Sequence, residues 1–119
     1  MPSFTMSQVS SKKAGELLHG FLTDNTLSGK EADFKSNKTH STERIGSKDS
    51  VPEADRMQEL FEKAGSAAMC VGSFDKDNKS LITLSLMPGH DGNIRIMTGV
   101  YDDGHIKDAN ELLGRLGVA

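Results

Sequence analysis

Between residues 80 and 101 the chain alternates apolar and polar side chains in two successive runs, and this pattern restricts the fold more than any other feature. In the first run Ile82, Leu84 and Leu86 alternate with Leu81, Thr83 and Ser85. In the second, Ile94, Ile96, Thr98 and Val100 alternate with Arg95, Met97, Gly99 and Tyr101. A period of two puts successive side chains on opposite faces of a strand, so both runs predict half-buried sheet. A third apolar run, residues 67–74, precedes them. The connections are Asp75-Lys76-Asp77-Asn78-Lys79 and Pro88-Gly89-His90-Asp91-Gly92, both built from turn formers. Neither is long enough for a parallel crossover. The expectation is a three-stranded antiparallel β-meander.

Helices are expected on both sides of it in sequence. Ala54, Met57, Leu60, Phe61 and Ala64 share one helical face, with Pro52 before the start and Gly65 at the end. Ile106, Ala109, Leu112, Leu113 and Leu116 do the same, with Gly117 as the stop. Two such helices cover one face of a three-stranded sheet. The other face would carry Met69, Val71, Leu81, Met97 and Tyr101, which is too apolar to lie in water. A further helix or a second copy of the chain is expected to cover it. A core of about 67 residues is marginal alone, and three strands leave exposed edges, so a homodimer is expected.

The first half reads differently. Ala14, Leu17, Leu18, Phe21 and Leu22 form an apolar stripe on a helix over residues 11–22, capped by Ser10 or Ser11. Residues 23–52 then hold few large apolar side chains, chiefly Leu27, Phe34, Ile45 and Val51. Ordering such a segment costs roughly 1–2 kcal/mol per residue with little burial to offset it. The predicted organisation is therefore α+β. Residues 1–50 form a polar, weakly ordered N-terminal arm with one amphipathic helix. Residues 51–119 form a compact α-β-β-β-α domain.

Composition removes several function classes. The net charge of the 119 residues is -3, and residues 53–119 carry eleven acidic against seven basic side chains. The scattered lysines Lys30, Lys35, Lys38 and Lys48 lie among acidic residues, so no basic face for nucleic acid is expected. No apolar run approaches the roughly 18 residues of a membrane helix, and no membrane partner is expected. Gly-rich phosphate loops and tryptophan are absent, and no cofactor is expected. The single cysteine, Cys70, permits no intrachain disulfide. With no basic-then-apolar leader at the N-terminus, a reducing cytoplasm is the expected location.

Two polar clusters are candidates for chemistry. His90-Asp91 could act as a base with an orienting carboxylate or bind a metal. Asp102, Asp103 and His105 form the second cluster. The two flank the third strand at opposite ends, roughly 30 Å apart, so they could meet only across a dimer. Turn chemistry and a helix start account for both sets. No His-x-x-x-His or Cys-x-x-Cys spacing occurs, and no metal site is assigned. The leading expectation is a small protein-interaction module (an adaptor, regulator, chaperone or inhibitor) rather than an enzyme. It would dock another protein through Leu17, Leu18, Phe21 and Leu22. The alternatives are a secreted bacterial effector-type protein with an N-terminal export segment, and a small enzyme or metal-dependent site using His90/Asp91 or Asp103/His105.

Overall fold

A computed structural model describes residues 3–46, 51–65, 67–77, 79–89 and 92–118. The chain runs β1 (Ser3–Ser10), α1 (Ser11–Thr23), β2 (Ser28–Lys35), β3 (Thr42–Gly46), α2 (Ala54–Ala64), β4 (Ala67–Ser73), β5 (Leu81–Pro88) and β6 (Asn93–Val100). A 3-10 turn over Asp103–His105 then leads into α3 (Ile106–Leu116). The strands form one six-stranded sheet in the order β1-β6-β5-β4-β2-β3, and every neighbouring pair is antiparallel.

The meander expected over residues 67–101 is present as β4, β5 and β6. The three-stranded sheet is not. Residues 3–46, expected to form an arm outside the sheet, supply three more strands. β1 pairs along the whole of β6, with Met6 opposite Met97 and Val9 opposite Ile94. β2 pairs with β4, placing Ala32 opposite Cys70 and Phe34 opposite Ala68. β3 closes the far edge against β2. The physical reason is economy of burial. The apolar side chains that β2 and β3 turn inward are Ala32, Phe34 and Ile45, each at most 4% exposed, while Glu31, Asp33, Lys35 and Arg44 occupy the other face. Backbone hydrogen bonding to an existing sheet lets a polar segment join the fold with very few apolar anchors.

All three helices cover the same face. Ser10 caps α1, its hydroxyl accepting from the Lys13 N–H at 3.2 Å. α1 lies between the other two and is brought close to each by a glycine. A Cβ on Gly15 would collide with the Ala54 carbonyl oxygen of α2, and one on Gly20 would lie 2.7 Å from Leu116 Cδ2 of α3. Ser11 Oγ donates to Glu62 Oε1 at 2.8 Å across the α1–α2 seam. The core between helices and sheet contains Leu17, Leu18, Phe21, Met57 and Leu112 from the helices and Ile82, Leu84, Leu86 and Ile96 from the strands. Phe34 of β2 and Phe61 of α2 add a tilted ring pair with centroids 5.9 Å apart. The result is a two-layer sandwich with helices on one side only.

Candidate functional site

Among the described residues nothing covers the face of the sheet away from the helices, and the register states what lies on it. One row crosses all six strands: Met6, Met97, Ser85, Met69, Asp33, Arg44, each opposite the next. The row on one side includes Gly99, Thr83, Val71 and Glu31, and the row on the other side includes Gln8, Arg95, Met87, Ala67 and Lys35. Met6 is 66% exposed, Met69 53%, Tyr101 52%, Met87 44% and Met97 38%. Single exposed apolar residues are ordinary, but a contiguous set on one sheet face is not. Methionine suits such a face, since its unbranched, polarisable side chain adapts to different partner surfaces.

Charge is concentrated at one end of this face, Arg95 of β6 being the charged residue among the methionines. The methionines occupy β1, β6, β5 and β4. β2 and β3 carry Glu31, Asp33, Lys35 and Arg44, two negative and two positive charges. Arg44 holds Asp33 in a two-pronged contact, Nε to Oδ1 at 2.7 Å and Nη2 to Oδ2 at 3.2 Å. The Arg44 hydrogen bond, against a small desolvation cost, keeps the Asp33 carboxyl below the usual carboxylate range. Between the two regions lies a hollow of about 470 Å³ lined by Asp33, Lys35, Ala67, Met69, Met87 and Met97. Ser85 also lines it and donates to the Met69 sulfur at 3.2 Å.

The residues expected to dock a partner lie elsewhere. Leu17, Leu18, Phe21 and Leu22 are 0–2% exposed, and they form the centre of the chain's own core. The apolar stripe on α1 is thus used internally, and it covers the face opposite the methionines.

His90 and Asp91 lie outside the described residues. Asp102, Asp103 and His105 gather at the opposite end of β6, where they build a helix entry. Asp102 accepts from the Gly104 N–H at 2.8 Å and from Ser80 Oγ at 3.0 Å, and these bonds lower its carboxyl pKa. His105 stacks on Phe74, with ring centroids 5.4 Å apart and planes 4° from parallel, and its Nδ1 lies 2.8 Å from Asp108 Oδ2. Asp103 begins the 3-10 turn. Among the described residues, no group of three or more His, Cys, Asp or Glu side chains is arranged to hold a metal ion. Cys70 is fully buried, and desolvation pushes its thiol pKa far up, so it carries no nucleophile at neutral pH.

The methionine face was half legible. The alternation alone puts Met69, Met97 and Tyr101 on an apolar outer face. Met6 and the charged end are not legible in it, because β2 and β3 carry too few apolar side chains to read as strands and β1 reads as part of a polar arm. The signal was present in Glu31-Ala32-Asp33-Phe34-Lys35, which alternates with period two. No helix of the described chain is long and apolar enough to cross a membrane. Comparison with protein-family models, curated proteins and solved structures finds no match to this chain.

Proposed function

We propose that the chain is a small protein-interaction module that binds through the open methionine face of its sheet. The observation that carries this reading is the row Met6, Met97, Ser85, Met69, with three large apolar side chains in register on four adjacent strands and the helices on the other side. Leaving that surface in water forgoes about 25 cal/mol for each Å² of apolar area, which a protein partner would recover. The charged end on β2 and β3 supplies orientation, since complementary charges select a partner and its register more than they add affinity.

Site-specific photo-crosslinking in the cell of origin tests the reading. A benzophenone side chain at Met97 is expected to give a protein adduct. The same group at Glu111, on the exposed side of α3, is the control. Absence of any adduct from position 97, or the same adducts from both positions, overturns the proposal.

A further inference from the structure

We infer that the occupant of the methionine face is a second copy of this chain, seated by a two-fold axis that runs across the strands along the methionine row. This inference rests on the interaction-module reading and adds the partner's identity. Two observations carry it, the size of the face and the arrangement of its charges.

The 44 strand residues, each covering about 4.8 Å by 3.3 Å of sheet, give a face of ~700 Å². A standard stable interface buries about 800 Å² on each partner, so the face is close to the size one dimer requires. Identical faces pack as two sheets ~10 Å apart, with the strands of the two copies close to aligned.

The charges then decide between axes. A two-fold along the row Met6–Met97–Ser85–Met69–Asp33–Arg44 exchanges the rows on either side of it. Glu31 of each copy comes to the level of Lys35 of the other, twice in one interface. The on-axis residues of β2 and β3 are Asp33 and Arg44, already neutralised as an internal pair. Asp33 and Arg44 each meet their own symmetry mate there, but as Asp33–Arg44 pairs with no net charge, so no net charge faces a like net charge. The same operation sets large side chains over small ones: Met87 over Thr83, Val71 over Ala67 and Arg95 over Gly99. In a symmetric interface each such match occurs twice. An axis parallel to the strands would instead lay the methionines of β1 and β6 over the charged strands β3 and β2, leaving charges against apolar surface.

Sedimentation velocity of the full chain across a dilution series provides the test. The expected species has twice the 12.8 kDa chain mass. Met69→Lys with Met97→Lys gives a monomer with unchanged far-UV circular dichroism. Glu31→Lys alone and Lys35→Glu alone each raise the dissociation constant by about tenfold or more, since each places like charges opposite one another twice. An equimolar mixture of the Glu31→Lys chain and the Lys35→Glu chain restores a dimer, because both crossed contacts are again between opposite charges. A dimer that survives all of these substitutions uses another face and overturns the inference, as does a mixture that stays monomeric. A wild-type monomer at every concentration also overturns it. In that case a foreign protein crosslinked to position 97 keeps the interaction-module reading, and no adduct ends both.

Discussion

Gly15 of α1 meets the backbone carbonyl of Ala54, the first residue of α2, at a separation that leaves no space for a Cβ. The backbone nitrogen of Gln58 would be only 3.1 Å from the same Cβ. The obstacle on both sides is main chain, which cannot rotate aside. This contact brings α1 within reach of α2 and lets Leu17, Leu18, Phe21 and Met57 close the core between them.

Gly15→Ala therefore forces the two helices apart. The gain in helix propensity is about 0.5–1 kcal/mol, and the overpacking cost of about 1–3 kcal/mol exceeds it. Thermal melts are expected to show a clear loss for Gly15→Ala. Gly20→Ala is expected to lose less, because the atom it meets is the flexible tip of Leu116. An equal loss at both positions would contradict the backbone clash.

The two faces of the sheet should respond very unequally to truncation. Leu84 is fully buried at the centre of β5, and Leu84→Ala is expected to cost about 2–5 kcal/mol. Met97, on the outer face of the neighbouring strand, is expected to change the stability of the isolated chain by no more than about 0.5 kcal/mol when replaced by Ala. Chemical denaturation at concentrations below self-association measures both.

Asp24 joins the end of α1 to α3 and sets an acid limit on the fold. Partial burial opposes its ionisation, but hydrogen bonds from Thr26 and the nearby Arg115 charge outweigh this and lower its pKa. Arg115 Nη2 lies 3.2 Å from Asp24 Oδ2. A depressed folded pKa contributes stability that is present above the unfolded value of about 3.9 and is lost as pH falls through the folded value. Asp24→Asn is expected to be less stable at neutral pH by about 1–3 kcal/mol and to show a shallower decline below pH of about 4. Parallel acid limbs for the two proteins would contradict the assignment.

Cys70 should be silent toward thiol reagents until the sheet opens. It lies on β4, fully buried, opposite Ala32 and Leu84, and its thiol is held protonated by desolvation. Native protein is expected to label with dithiobis(nitrobenzoate) at a rate limited by unfolding, and denaturant should release full reactivity. Fast labelling of the native chain would show that β2 leaves the sheet.

Thr98 carries a buried hydroxyl with no hydrogen-bond partner among the described residues. An unsatisfied buried polar atom costs about 1–3 kcal/mol. Thr98→Val keeps the shape and removes the hydroxyl, so it is expected to raise the melting temperature. A lower melting temperature would reveal a partner for that oxygen.

The sequence by itself determined the local elements wherever periodicity was strong. Residues 11–22, 53–64 and 106–116 read as helices because their apolar positions recur every three to four residues. The runs around Ile82–Leu86 and Ile94–Val100 read as antiparallel strands because period two and short turns leave no other solution. The same alternation already placed Met69, Met97 and Tyr101 on a face of their own.

Only the tertiary structure decided that the sheet has six strands and that the face stays open. β2 and β3 contribute three buried apolar side chains between them, too few to mark strands by hydrophobicity. They are held by backbone hydrogen bonds to β4 and to each other, a term that no side chain displays in the sequence. Whether α1 would cover the methionines or join α2 and α3 was equally undetermined, because an amphipathic stripe specifies that a face is buried and not what buries it. Gly15 and Gly20 let α1 fit between the other two helices, and the methionine face is left exposed as a consequence.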